Sequence, residues 1–492
     1  MTDRQSEATV SDEDPTDDVA PVHTATATAA ATAAATAAAT ATVTAKTERM
    51  SPSDRSSADE TITSAQNAGM SRRSMVKTGG LVAGAAVAVP VLRALAQTTT
   101  RQSGAAIPAS AAAVADSAKL VVPLDATKVP GLPSETLGGR STFEQPVLTP
   151  TGITSGSSWT PHQSLRGSIT PSDLHFQRHH NGIPVIDPAR HTLTIHGLVS
   201  KPLSFTLNEL QRFPSVTRVY CIECSGNGGG AYRAPKPTMT PQEVDGLTSN
   251  SEWTGVPVAT LLKAVGVQRA GTWVLAEGGD AAVMLRSVPM EKMMDDALVV
   301  YAQNGEAMRP ANGYPMRLLL PGYEGNMCVK WLRRLKVVDQ PGMSREETSK
   351  YTDPLPDGTS RQFSFVIDAK SLITSPAYPE RLTGAGWWPV RGIAWSGRGK
   401  IAGVDVSTNG GKTWAAASLV GDVHSRAHTR FEFLWQWNGQ PAAIMSRATD
   451  ETGYVQPTLE VYRRVRGSAT SYHHNAIRTW NVAGDGSVTF GG

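Results

Sequence analysis

Apolar and polar positions alternate along this chain with two different rhythms. From about Pro171 to Tyr351 the pattern is mixed. His191-Thr192-Leu193-Thr194-Ile195-His196 alternates with period two and predicts a strand, Leu207 to Phe213 and Val258 to Val265 predict short helices, and Met316 to Leu320 is a short apolar run. An α+β domain follows. After Asp353 the runs become short, alternating and broken by turns. Val404-Asp405-Val406-Ser407, then Thr408-Asn409-Gly410-Gly411, then Lys412-Thr413-Trp414 predicts a hairpin, because Asn-Gly tolerates positive φ at both turn positions. With His428 to Phe433 and Ala443 to Arg447 as further strands, this region predicts a β-sandwich of immunoglobulin type.

The N-terminal third carries neither rhythm. Residues 1–70 are rich in Ala, Thr, Ser and Asp, and the Ala/Thr tract from Thr24 to Thr42 offers no large side chain to bury, which predicts disorder. Ser71-Arg72-Arg73-Ser74-Met75-Val76-Lys77 resembles the twin-arginine export motif, and the apolar stretch Leu81 to Leu92 leads to Ala94-Leu95-Ala96, a small-residue cleavage pattern. Maturation near Gln97 and a periplasmic location are expected. The apolar stretch falls short of the roughly 20 residues that span a bilayer, so no membrane span is expected. Residues 97–140 are Ala-, Pro- and Gly-rich and read as an extended lead-in.

At 492 residues the chain is long enough for two folded domains. The formal net charge of +3, with Lys and Arg scattered, lacks the basic stripe of a nucleic-acid partner. The three cysteines, Cys221, Cys224 and Cys328, allow at most one disulfide. Cys224 is followed by Ser225, so no Cys-x-x-Cys-His haem attachment site occurs.

The chemistry concentrates in a few segments. Arg218-Val219-Tyr220-Cys221-Ile222-Glu223-Cys224-Ser225-Gly226-Asn227-Gly228 ends a strand-like run on a thiol and then turns through small residues, a presentation suited to ligating a soft metal. As a pair, Cys221 and Cys224 are compatible with a redox disulfide, half of a zinc site, or one metal thiolate beside a bystander. No second pair completes a zinc site, and a thioredoxin-like motif would open a helix rather than end a β-rich run. His175-Phe176-Gln177-Arg178-His179-His180 precedes an Asn-Gly turn, and Arg317, Lys330, Arg333 and Arg334 cluster around Pro321-Gly322-Tyr323-Glu324-Gly325. Guanidinium groups suit phosphate and sulfur oxyanions through paired hydrogen bonds. The plainer alternative is ordinary loop histidines and a solvated basic face.

Five motifs occur in order: Phe176-x-Arg178-x-His180, Cys224-x-Gly226-Asn227, Tyr314-Pro315-x-Arg317, Pro321-Gly322 and Val329-Lys330-Trp331-Leu332. Together they resemble the sulfite oxidase family of molybdopterin enzymes over about residues 125–465. Within it, Leu174 to Pro188, Glu223 to Asn227, Glu346 to Tyr351 and Arg447 to Pro457 look most like the molybdenum subunit of the periplasmic Sox sulfite or sulfane dehydrogenases. The resemblance implies a sulfite-oxidase-type molybdopterin-binding catalytic domain at 141–360, an immunoglobulin-like dimerisation domain at 361–466 and a C-terminal tail at 467–492.

The same resemblance implies that Cys224 is the thiolate on molybdenum and Cys221 is not a ligand. Phe176, Arg178, His180, Asp280, Arg317, Cys328, Val329 and Lys330 would hold Mo-molybdopterin, while Arg178 faces the substrate oxyanion and Tyr351 is the active-site tyrosine. His179 stands where the family usually has asparagine, Asn312 where it usually has a cofactor-binding histidine, and Asp280 lies closer than usual to Ser287-Val288-Pro289. The implied activity is oxidation of sulfite, or of a sulfane sulfur on a carrier protein. The implied partners are a cytochrome c acceptor, dihaem in a Sox-type enzyme, and a second copy forming a homodimer core. Two rivals remain: a molybdopterin oxide reductase resembling the methionine sulfoxide reductases, whose relatives usually lack the sandwich, and a non-enzymatic exported binding protein in which Cys221 and Cys224 form a structural disulfide.

Overall fold

The computed structural model of the chain describes Ser134 and residues 136–492. The predicted disordered region, the export signal and most of the lead-in lie outside the described residues. Among the described residues no helix is long and apolar enough to cross a membrane.

Alternation builds the first sheet. In Thr192–Gly197, Leu193 and Ile195 are fully buried while Thr192 and Thr194, alternating with them, face the other way. This strand pairs antiparallel with Leu203–Thr206 and parallel with Leu332–Val338, and the sheet continues through Trp273–Gly278 to Leu285–Pro289. A second sheet runs in the order Glu306–Ala307, Leu298–Gln303, Thr248–Pro257, Val216–Glu223, with Arg317–Leu319 paired along Leu298–Gln303. The predicted helix Val258–Val265 turns Val258, Leu261, Leu262 and Val265 into the core shared by both sheets, and stops where Gly266 adopts a φ of +68°. The helix predicted over Leu207 to Phe213 is shorter, Leu207–Leu210. Thr206 and Glu209 form a capping box at its start, and Pro214 keeps Phe213 from continuing it.

The second half is a sandwich. One sheet orders Lys370–Ser375, Gly386–Trp395, Thr429–Trp437 and Ser418–Val420. The other orders Ala415–Ala416, Ile401–Ser407, Ala442–Asp450, Thr479–Val482 and Val488–Phe490. Trp395, Val404, Phe431, Ile444 and Trp480 fill the space between them. Residues 467–492 are therefore not a tail. Trp480 and Val482, then Val488 and Phe490, alternate inward on two short strands that complete the second sheet.

The predicted hairpin also differs. Ile401–Ser407 pairs with Ala415–Ala416 across a loop spanning 408–414, and positive φ falls on Gly410 and Gly411 rather than on Asn409. Asn409 instead folds its side chain over the loop, accepting from Thr413 N at 3.0 Å and donating to Thr413 Oγ1 at 2.8 Å.

The two halves meet on a buried cluster of charges. Lys370 Nζ, from the sandwich, lies 3.2 Å from Glu223 Oε1 and 2.5 Å from Asp245 Oδ1, both from the first half. Arg478 Nε, also from the sandwich, lies 3.9 Å from Asp245 Oδ2, and Trp395 Nε1 donates to Glu223 Oε2 at 2.6 Å. The charges cancel, and each of the four charged side chains is at least nine-tenths buried. Beside them Asp368 clamps Arg398 at 2.6 Å and Arg466 at 2.7 Å. Burial pushes the Asp368 carboxyl up, but the two guanidinium groups more than offset this and hold it below the usual carboxylate range.

Removing one partner of a buried pair strands the other charge. Lys370→Met should therefore destabilise the protein by about 3–5 kcal/mol in denaturant unfolding. The contribution of Asp368 should be present above its unfolded pKa of about 3.9 and vanish as pH falls through its lower folded value. Asp368→Asn should accordingly flatten the acid side of a stability profile measured by thermal unfolding.

Candidate active site

The strand Val216–Glu223 delivers the thiol. Side chains alternate across a strand, so Cys221 and Glu223 face the sandwich while Ile222 and Cys224 face a cavity in the first half. All three cysteines are free thiols, which overturns the structural-disulfide reading: Cys221 is packed in the sandwich core and Cys224 opens on the cavity. Beyond Glu223 the chain turns on fixed hydrogen bonds. Cys224 N donates to Leu247 O, Asn227 N to Cys224 O, Asn227 Nδ2 to Glu223 Oε1 and Leu247 N to Asn227 Oδ1, each at 2.9 Å. Gly228 then takes a φ of +79°, and a methyl group there would lie 2.7 Å from both Arg478 Nη2 and Asp245 Oδ1. The loop therefore rests directly on the buried charge cluster.

The cavity, counted together with the solvent space at its mouth, has about 680 Å³ not filled by protein atoms. Every residue that the family resemblance assigns to the site lines it: Phe176, Arg178, His180, Cys224, Asp280, Arg317, Cys328, Val329, Lys330 and Tyr351. His179 and Asn312 line it as well. Arg333 and Arg334 do not. They lie exposed on Leu332–Val338 and both pair with Glu277, because the ladder breaks register between Leu332 and Arg334 and the irregularity lets two consecutive side chains face outward.

Three cations enter this space with a single lining carboxylate, Asp280. Lys330 Nζ donates to Arg178 O and Ala311 O at 2.9 Å and to His179 Nδ1 at 3.0 Å, and burial, aided by Arg317, pushes its pKa well down. Arg317 donates to Asn312 O and Cys328 O at 2.9 Å, and burial lowers its pKa to about 10. Its Nε is buried without a partner among the described residues. Arg178 donates to Gly156 O at 3.2 Å and to His179 O. Burial first, then the neighbouring cations, hold His179 at about 3 and His180 at about 4, so both rings are neutral near pH 7.

Tyr351 carries the site's backbone strain, a φ of +49° in a bulky residue. Its hydroxyl lies 2.9 Å from His180 Nε2, its ring packs on Tyr472 at 5.3 Å, and the fully buried Arg286 sits over it at 5.3 Å. Burial, then the neighbouring Cys224, pushes the phenol far above its usual range, so it stays protonated. The layer behind has no signature in the sequence, because it joins segments distant along the chain: Glu324 lies 3.5 Å from Arg286 and 3.4 Å from His473.

These residues fit a phosphate-bearing metal cofactor. Partly unpaired buried cations require an anion, and a thiol raised by burial becomes a thiolate when a metal binds it. Among the described residues no group of three or more His, Cys, Asp or Glu is placed to hold a metal, so a metal on Cys224 would draw its other donors from the cofactor.

Comparison with known proteins agrees. Residues 180–346 match the oxidoreductase molybdopterin binding domain, and residues 361–480 the Mo-co oxidoreductase dimerisation domain. A chain of the sulfane dehydrogenase SoxCD from Paracoccus pantotrophus superposes with a TM-score of 0.72 at 43% identity, covering 75% of this chain and 98% of that one. Sulfite oxidase of Gallus gallus is 30% identical over 314 residues, which is 59% of this chain and 68% of the relative. The NADH nitrate reductase of Solanum lycopersicum is 31% identical over 339 residues; the match covers 59% of this chain but only 36% of that larger protein.

Arg317 is the most enclosed of the cavity's cations, so Arg317→Met should weaken retention of a phosphate-bearing cofactor on the order of tenfold or more. Molybdenum and phosphorus per chain after dialysis measure the loss.

Proposed function

The chain belongs to the sulfite oxidase family of molybdopterin enzymes, and on that premise we propose that it is an exported dehydrogenase passing electrons from sulfite, or from a carrier-bound sulfane sulfur, to a cytochrome c. Its cofactor is Mo-molybdopterin. The observation that carries the reading is the convergence of Arg178, Arg317, Lys330 and Tyr351 on the cavity that holds Cys224. That arrangement suits an anionic substrate and an anionic cofactor side by side.

When bound, the cofactor supplies the two-electron oxygen-atom transfer that the protein's own side chains cannot perform. Cys224 anchors the metal as its protein thiolate. Lys330 and Arg317 balance the cofactor's phosphate, and Phe176, Cys328 and Val329 shape the wall on which it lies. Arg178 draws the substrate oxyanion inward and holds it by charge-assisted hydrogen bonds. Tyr351 keeps its proton and donates it to neutral His180 Nε2, which leaves the hydroxyl oxygen to accept a hydrogen bond from water at the reacting centre; a proton released by that water passes to His180 through the hydroxyl, which gives up its own proton as it takes the new one. For sulfite the balance is one sulfite and one water giving one sulfate, two protons and two electrons.

The electrons leave through a partner, for which we propose a cytochrome c, dihaem if the enzyme works as a Sox-type complex. The match of residues 361–480 to a dimerisation domain supports a homodimer core, and it disfavours an oxide reductase of the kind that lacks a sandwich. Periplasmic location rests on the twin-arginine pattern around Arg72 and Arg73.

The test is cytochrome c reduction by purified protein given sulfite or a persulfide-bearing carrier protein. Turnover with either donor is expected, and Cys224→Ser should abolish it. Arg178→Met should lower kcat/KM by about 100-fold, as expected for losing a preorganised charge at the reacting centre. Inactivity toward both donors in fully loaded protein, or full activity in Cys224→Ser, would sink the proposal.

A further inference from the structure

We infer that His175 is a cofactor-positioning residue whose Nε2 accepts a hydrogen bond from an N–H group of the bound pterin. His175 lines the cavity wall and is only 2% exposed. Its Nδ1 lies 2.9 Å from the carbonyl oxygen of Phe176. A carbonyl only accepts, so Nδ1 carries the ring proton and Nε2 is a bare lone pair. That Nε2 is buried and has no partner among the described residues. The ring cannot swing away to find one, because it stacks on Phe176 at 5.2 Å and meets Trp253 edge-on at 5.7 Å.

Neighbouring groups on the wall are already committed. The Asn312 amide donates to Ser172 O and Gln303 Oε1, His179 Nδ1 accepts from Lys330, and His180 Nε2 is paired with Tyr351. A buried acceptor left unpaired is costly, and the cavity that His175 lines is the space from which a donor for Nε2 would be supplied. The chemistry selects which part of the cofactor that is. A bare imidazole lone pair needs a donor, and neither a phosphate oxygen nor a dithiolene sulfur brings a proton; a pterin ring does. Burial, with Arg317 and Lys330 nearby, also keeps this ring neutral, at about 3. The cations thus take the anionic end of the cofactor and His175 its N–H edge.

This inference rests on the Mo-molybdopterin assignment but not on the sulfur substrate. The test compares the loaded native protein with His175→Gln, which keeps an acceptor, and His175→Leu, which does not. Molybdenum and phosphorus per chain, and fluorescence of the released pterin, are followed during dialysis, with circular dichroism as the folding control. The Leu variant should lose cofactor on the order of tenfold faster than native, and the Gln variant within about threefold of native. If Leu does not fold, His175→Phe, which keeps a ring between Phe176 and Trp253, decides on the same readout. Loss at the native rate without an acceptor would overturn the inference and assign Nε2 to a buried water. Equal loss from both variants would overturn it as well. Native protein carrying neither molybdenum nor phosphorus would overturn the cofactor assignment itself, and the inference with it.

Discussion

The cluster of Glu223, Asp245, Lys370 and Arg478 is the interaction on which the rest of this structure depends. Each buried charge loses several kcal/mol of hydration, and the loss is recovered only while all four stay together. Two come from the first half of the chain and two from the sandwich, so neither half can bury its pair without the other. Glu223 immediately precedes Cys224, and Asn227 and Gly228 lean on the same cluster. The position of the thiol is thus set by domain docking as much as by the strand that carries it.

Opposite that neutral cluster lies a cavity of the contrary design. Among the described residues Lys330 and Arg317 donate to backbone carbonyls and form no ion pair with a carboxylate, and Arg178 joins them in a cavity that Asp280 alone lines with a carboxylate. The same strand end therefore separates a balanced electrostatic environment from an unbalanced one. An anion entering the cavity relieves repulsion already present, so its binding feeds back on folding stability by mass action. The left-handed Tyr351 belongs to this unbalanced side, where packing against Tyr472 and Arg286 offsets its backbone strain.

Much of this was legible before any coordinates. Leu193 and Ile195, and Val258 with Leu261, Leu262 and Val265, announced their elements because one face of each had to be buried. The cavity residues were legible through ordered motifs rather than through periodicity, since Phe176, Cys224, Lys330 and Tyr351 are close only in the folded chain. What escaped notice depended on tertiary pairing. Thr479–Val482 and Val488–Phe490 are too short to stand out as strands, and only their partners make them so. Arg333 and Arg334 looked like neighbours of Lys330, but an irregularity in the strand between Leu332 and Arg334 turns both to solvent and Glu277. Asn409 overrode a turn preference through its own side chain, and the bare nitrogen of His175 is visible only once every other partner is accounted for.

The contact between Arg478 and Gly228 O joins residues 250 positions apart. A ribosome adding on the order of ten residues each second would expose the cysteine loop tens of seconds before the residues beneath it emerge. Through the first part of that interval Glu223 and Asp245 have no counter-charge from the sandwich, and until Arg478 follows Lys370 the cluster beneath the nascent loop is incomplete. A settled Cys224 is therefore a product of late folding, and whatever loads the cavity meets a finished receptor only after the sandwich strands have been synthesised.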